Sequence, residues 1–154
     1  MTDMHILTLG EMINKMSVIF NYWEEKEKRE DEKEPIVVFD FENAYPVGLS
    51  SWRNDYSKLA LNFSFYGYDI YGYVKVDGFE AKPPTISEFL KMLKRAVGKT
   101  FTGWKGGDFV MNRKTPVWVA NDGNCGNTAV VGIKDDGYRV VILTQYINDN
   151  WWNF

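Results

Sequence analysis

One cysteine, Cys125, and one histidine, His5, are all that the 154-residue chain holds of either type. A single thiol excludes an intrachain disulfide and a cysteine-built metal cluster, and it fits a reducing compartment. A single imidazole in the N-terminal stretch leaves no Ser-His or Cys-His pairing for the sequence to support. The plain readings are a structural histidine, neither metal ligand nor catalytic base, for His5 and an ordinary loop or half-buried thiol for Cys125, which sits in the turn-rich string NDGNCGN. Long apolar runs are missing as well. Nothing approaches the roughly 20 residues that a membrane-spanning helix needs. The opening MTDMHILTLG lacks the basic segment and apolar run of a secretory signal, so the expectation is a soluble, intracellular protein with no membrane partner.

Net positive charge is the third absence. The formal charge is −3, and residues 24–34, EEKEKREDEKE, hold seven acids and four bases, which accounts for all of it. The balanced remainder has no basic field to draw in a phosphate backbone, which argues against nucleic acid as a ligand. The run itself reads as a solvated extension of a helix or a linker.

What the chain does have is aromatic side chains: six Trp, nine Tyr and ten Phe, 16% of the residues, a composition that favours sheet. Its length suits one domain, 1–154, with residues 148–154 forming an aromatic tail that ends in Trp151-Trp152-Asn153-Phe154. Exposed tandem tryptophans invite association, so the tail either folds back over an edge or forms a partner patch.

Two helices announce themselves through capping boxes. Thr8 is followed three residues later by Glu11, with Leu9, Met12, Ile13, Met16, Ile19 and Phe20 at helical spacing behind them. Glu24 with Lys28 and Glu25 with Arg29 could extend this helix as pairs four apart, and Pro35 disfavours helix at Glu34. Thr85 and Glu88 form the second box, and Ile86, Phe89, Leu90, Leu93 and Val97 supply one apolar stripe before Gly98 stops the helix. TLGEMINKM at 8–16 and TISEFLKML at 85–93 share this pattern, through either an old duplication or convergence on the same capping chemistry.

Strands are expected over Ile36–Phe41, Lys58–Phe65, Tyr66–Val76, Asp108–Met111, Pro116–Ala120, Thr128–Ile133 and Arg139–Thr144. Lys58–Phe65 and Tyr66–Val76 would pair about Gly67, a loop through Pro46 and Gly48 would follow the first strand, and Asp135-Asp136-Gly137 is a hairpin turn. The fold class is therefore α+β: a single domain with a mostly antiparallel sheet of about six or seven strands and two amphipathic helices on one face.

Gly98-Lys99-Thr100 resembles the tail of a phosphate-binding loop, but that motif needs glycine at position 93, where this chain has Leu93. These residues also close a helix, so their N–H groups point away from any anion. Carboxylates remain as routes to catalysis. Asp40 interrupts the apolar run VVFDF and could pair with Arg53 or Lys105, while Asp108 is a second possible base. Neither spacing separates a general base from a solvent-facing aspartate.

The better candidates are aromatic and polar residues in loops. SSWRNDY brings Trp52, Arg53 and Tyr56 together, TFTGWKGG offers Trp104 and Lys105, and WVANDGN adds Asn121. Such loops suit stacking and charge-assisted hydrogen bonds to a planar or anionic ligand, and they suit protein contacts equally well. The plain alternative is that the tryptophans cap the ends of the sheet while the glycines serve tight turns.

LTLGEMI, GLSSWRNDYSKLAL, TISEFLKMLKRAVGKTFTGWKGGDFVM and TPVWVANDGNCGNTAVVGI, in that order, resemble a group of small tailed-bacteriophage proteins. These are encoded by T-even-like and other phages, some in the early region near the DNA ligase gene. The likeness spans most of the chain and is most specific over Gly98–Asn121, with the charge run and aromatic tail as departures. It carries over no activity, cofactor or catalytic residue. It implies a setting, the cytoplasm of an infected bacterium, and a role in host takeover or counter-defence by binding a host or defence protein, or a small nucleotide-like ligand. Two other roles stand beside it: a small nucleotide-directed hydrolase or transferase with a carboxylate base, and a minor virion component.

Overall fold

The computed structural model describes residues 5–41, 44–51, 59–65, 82–102, 108–121 and 124–147. The chain is a single α+β domain. Among these residues lie helix α1 (Leu9–Glu25), strands β1 (Ile36–Phe39), β2 (Ala44–Ser51) and β3 (Leu59–Phe65), and helix α2 (Ile86–Ala96). Strands β4 (Thr100–Thr102), β5 (Asp108–Val110), β6 (Val117–Asn121), β7 (Asn124–Asp135) and β8 (Arg139–Tyr146) follow. Six strands form one sheet in the order β1-β8-β7-β6-β3-β2, and β4 and β5 form a separate ribbon.

Both capping boxes form. Thr8 Oγ1 accepts from Glu11 N–H and Thr85 Oγ1 from Glu88 N–H, while each glutamate returns a bond to its threonine N–H. Each box satisfies amides that the first turn of a helix leaves without partners. Behind them the apolar stripes are buried at matching positions: Leu9, Met12, Ile13 and Met16 on α1, and Ile86, Phe89, Leu90 and Leu93 on α2. Both stripes pack into one core with Val37, Phe39, Leu59, Leu61, Val117, Val119, Val140 and Ile142, alternate residues on one face of the sheet.

The likeness of the two helices extends to the strands. At the start of α1, Leu9 N–H donates to Thr115 O (2.8 Å) and Val117 N–H to Leu7 O (2.9 Å), bracketing a bridge between Thr8 and Pro116. At the start of α2, Ile86 N–H donates to Pro35 O (3.1 Å) and Val37 N–H to Pro84 O (2.8 Å), bracketing a bridge between Thr85 and Ile36. Each helix thus docks in the same way onto the chain entering a strand. The next pairings agree: β1 runs parallel to β8 with Val37 opposite Val140, and β6 runs parallel to β3 with Val117 opposite Leu59. The antiparallel pairs agree to the residue. β2 meets β3 with Gly48 opposite Asn62 and a bulge between Pro46 and Gly48. β7 meets β8 with Gly132 opposite Leu143 and a bulge between Val130 and Gly132. Among the described residues the molecule is two interlocked α-β-β-β units, the second with the β4–β5 ribbon inserted after its helix, each lending its helix to the other's first strand.

The units differ where β1 meets β2. In the second unit β6 and β7 form a ladder, whereas β1 and β2 are the two edges of the sheet. Aromatic rings close that seam. Phe39 stacks on Phe41 at 5.1 Å between centroids, and both meet Phe63 of β3 edge-on, at 6.1 and 5.2 Å. Ring contacts reaching from one edge strand to the neighbour of the other show that the sheet is curled almost into a barrel.

Several sequence expectations need correction. The stretch 44–51, read as a loop because of Pro46 and Gly48, is strand β2. As an edge strand it can hold a proline, which costs no ladder bond on an open side, and the bulge accommodates the glycine. Helix α1 does not continue through the charge run; it stops at Glu25 with Lys26 extended. Lys28 Nζ caps the Glu24 carbonyl (2.9 Å) and lies 4.5 Å above the Trp23 ring in place of a four-apart ion pair. The run then folds back. Lys26 pairs with Glu32, and Glu34 accepts from Ser87 N–H at 2.6 Å, so this acidic segment caps the second helix. Cys125 belongs to β7 and Thr100–Thr102 to β4, where loops were expected. The expected strand Tyr66–Val76 with its turn at Gly67, and the aromatic tail, lie outside the described residues.

Candidate functional site

Helix α2 carries a second stripe beside its buried one. Glu88, Met92 and Arg95 recur at helical spacing, and with Lys99, just past the helix end, they form one wall of a surface groove of about 290 Å³. Leu49 of β2, Ala96 of α2 and Phe101 of β4 complete it. The lining joins four apolar side chains, Leu49, Met92, Ala96 and Phe101, to the carboxylate of Glu88 toward the helix start and the cations of Arg95 and Lys99 at its end.

The cationic end exists because the chain turns sharply after α2. Gly98 takes φ +81°, a left-handed conformation that a side chain would strain. Its N–H donates to Met111 O (2.7 Å), Lys99 N–H donates to Ala96 O (3.1 Å), and Met111 N–H donates to Lys99 O (2.9 Å). These bonds seat the ribbon against the helix end, and the 98–99 amides are spent inside the fold. The exclusion of a phosphate loop therefore has a structural counterpart. Lys99 Nζ lies 5.1 Å from the Phe101 ring centroid, a cation–π distance that holds the ammonium over the groove. Glu88 at the other end is tied to Thr85. The Thr85 N–H, then the Thr85 hydroxyl, hold its carboxyl below the usual carboxylate range.

Of the candidate residues read from sequence, Trp52, Arg53, Tyr56, Trp104 and Lys105 lie outside the described residues. Their flanks are informative. The chain passes into 52–58 from β2 and into 103–107 from β4; both strands line the groove, and they touch each other. Asn121 is placed elsewhere. It ends β6 opposite Asn124, whereas β2 enters 52–58 from Ser51, opposite Leu59 and so level with Val117 at the other end of β6.

The catalytic alternatives fare differently. Asp40 is exposed, and both oxygens are engaged by one residue: Oδ2 accepts from Thr144 N–H (2.8 Å) and Oδ1 from the Thr144 hydroxyl (2.6 Å). It extends the β1–β8 pairing beyond Phe39, a structural duty. Asp108 is exposed at the start of β5. His5 is exposed, with Nε2 at 2.8 and 2.9 Å from the Glu11 carboxylate oxygens. The bond from Thr8 N–H, then that from His5, lower the Glu11 pKa. Among the described residues no group of three or more His, Cys, Asp or Glu side chains is placed to hold a metal, and no helix is long and apolar enough to cross a membrane.

Sequence reading missed Met92, Arg95 and Lys99, although the signal was present. Met92 and Arg95 stand at helical spacing beside Ile86, Phe89, Leu90 and Leu93, displaced around the helix, and Lys99 follows its glycine stop. The partners from β2 and β4 could not be found that way, because only the fold sets them opposite. No known protein family, curated protein or solved structure matches the chain.

Proposed function

We propose that the protein acts by binding, as a bacteriophage accessory protein that engages a host or defence factor in the cytoplasm of an infected bacterium. The observation that carries the binding half of this reading is the groove of α2, β2 and β4, lined by apolar side chains and basic at one end. The two segments richest in recognition side chains, Trp52-Arg53 and Trp104-Lys105, follow directly from its strands. The phage setting rests on the sequence resemblance alone.

Catalysis is the weaker alternative for a specific reason. Among the described residues lining the groove the one carboxylate is Glu88, already committed through Oε1 to capping its own helix, and Asp40 is held by Thr144 at the sheet edge rather than in the groove. A general base must instead face its substrate. A small nucleotide-like ligand remains a second reading, supported by Arg95, Lys99 and the aromatic Phe101.

The test is retention of a bacterial protein from lysate by the immobilised full chain, run beside thermal melting across a nucleotide panel. A specific retained protein is the expected result, and a nucleotide-induced rise in melting temperature would favour the second reading. A clean pull-down with unchanged melting would overturn both.

A further inference from the structure

The groove has a polarity, and that polarity specifies an occupant. Arg95 and Lys99 are exposed at one end and Glu88 at the other; Arg95 stands seven helical steps beyond Glu88, roughly 10 Å along the axis. Between them Met92 is half-buried, beside Leu49, Ala96 and the Phe101 ring. An apolar group enters the middle, an acid is welcomed at the Arg95 end, and the Glu88 carboxylate repels an acid at its own end.

Size and backbone chemistry narrow the class. About 290 Å³ lies at the bottom of the roughly 300–1,000 Å³ occupied by small-molecule sites. A phosphate chain would also need converging N–H donors, yet the groove's cationic end is a helix C-terminus whose free polar groups are carbonyls, and the Gly98 and Lys99 amides are already bonded. Among the described residues this end offers two long cationic side chains and no free backbone donor, which suits a single carboxylate, bound by Arg through two parallel bonds. That charge, with an apolar space beside it, favours a peptide over a nucleotide.

We propose that this groove docks a short segment of a partner protein in which an acidic residue adjoins a bulky apolar one, the carboxylate meeting Arg95 and Lys99 and the apolar side chain filling the space between Met92, Leu49 and Phe101. This names the partner chemistry for the binding function proposed above and rests on that reading. Met92 suits the role, since an unbranched thioether adapts to differently shaped side chains.

The experiment selects peptides from a random displayed library on the full chain, then measures the selected peptides by fluorescence polarisation. Expected are sequences enriched in Asp or Glu beside Leu, Phe or Trp. Their affinity should fall at least tenfold for Arg95→Ala/Lys99→Ala and on changing the peptide's acid to its amide, and should weaken with added salt. Both substituted side chains are exposed, so the double variant should melt with the wild type. Glu88→Gln should tighten the same peptides two- to fivefold by removing the repelling charge. Peptides without the acidic–apolar pairing, or equal binding to the double variant, would overturn the proposal. So would nucleotide binding that depends on Arg95. A lysate protein retained equally by wild type and double variant would leave the binding function standing and remove this groove from it.

Discussion

The two α-β-β-β units share a plan to the level of register and bulge, and among the described residues the groove lies against the helix of the second. In the first unit α1 runs from Leu9 to Glu25, with Lys15 and Val18 on the stripe that corresponds to Met92 and Arg95, and Tyr22 one turn beyond. In the second unit α2 stops at Ala96 and the chain turns at Gly98 into β4, which lays Phe101 beside that stripe. The longer helix leaves Val18 and Tyr22 at 69% and 67% exposure. Where a helix ends, and what the next residues do, converts a plain surface into a site. Repetition supplies a scaffold, and the departure from it supplies the candidate function.

The largest expected effect probes the shared part. Phe89 and Met12 occupy corresponding positions, and both are fully buried. Truncation of Phe89 to Ala should cost about 3–5 kcal/mol and of Met12 to Ala about 2–5 kcal/mol, since each leaves a cavity in one continuous core. Urea denaturation measures both. A loss below about 1 kcal/mol at either position would mean that the halves do not share that core.

Next comes the first turn, where the units solve one problem differently. Gly10 N–H donates to the Arg113 carbonyl at 2.8 Å, while the corresponding Ser87 N–H donates to the Glu34 carboxylate. A Cβ on Gly10 would lie 2.9 Å from the Arg113 carbonyl oxygen. Backbone cannot yield as a side chain can, so Gly10→Ala should cost about 1–3 kcal/mol, against about 0.5 kcal/mol or less for Ser87→Ala. Equal losses would show that α1 docks less closely than the structure has it.

A smaller effect concerns acid. The carboxyls of Glu11 and Glu88 are both held below their ordinary value of 4.5, each first by the N–H of its own capping threonine. A carboxylate with a depressed folded-state pKa contributes stability that is present above the unfolded value and is lost as pH falls through the folded one. The denaturation midpoint should therefore begin to decline below about pH 4.5. Glu11→Gln and Glu88→Gln should each remove part of that decline, at a cost near neutral pH of about 0.5 kcal/mol, small because both groups are exposed. His5 bonds only the first of them, so His5→Ala should shift the Glu11 titration in NMR and leave Glu88 unmoved.

The smallest effect separates the twin bulges. An added Cβ at Gly132 would sit 3.2 Å from Leu143 Cδ1, whereas at Gly48 its nearest neighbour would be Asn62 Nδ2 at 3.9 Å. Gly48→Ala should stabilise by a few tenths of a kcal/mol, roughly the gain expected from a stiffer unfolded chain, and Gly132→Ala should lose that advantage as Leu143 shifts. Thermal melting of the two variants would reveal an inverted order if the bulges were packed the other way round.

Much of the scaffold was legible in the residues themselves. A threonine and a glutamate three apart form a capping box through contacts within one turn, so Thr8, Glu11, Thr85 and Glu88 could be assigned without any fold. The aspartate turn before Gly137 was equally local: Asp135 accepts from Gly137 N–H, and Asp136 from Tyr138 and Arg139 N–H. β2 was hidden because Pro46 and Gly48 break the strand pattern, and only its place at a sheet edge makes them tolerable.

The same division separates the repeat and the site from their raw materials. TLGEMINKM and TISEFLKML posed duplication against convergence, and strings alone could not weigh the two. Matching bridges, parallel pairings and bulges favour a repeated unit, because capping chemistry by itself imposes no strand register. By itself the sequence determined two capped helices, their buried stripes, a helix stop at Gly98 and a chain without thiol clusters, paired imidazoles or a basic field. Tertiary structure alone decided that Leu49, Arg95, Lys99 and Phe101 face one groove, that Glu34 caps the other unit's helix, and that the sheet curls shut on phenylalanine rings. Local bonds depend on spacing a few residues apart, which a sequence displays; a groove depends on segments some fifty residues apart meeting, which only the packed core enforces.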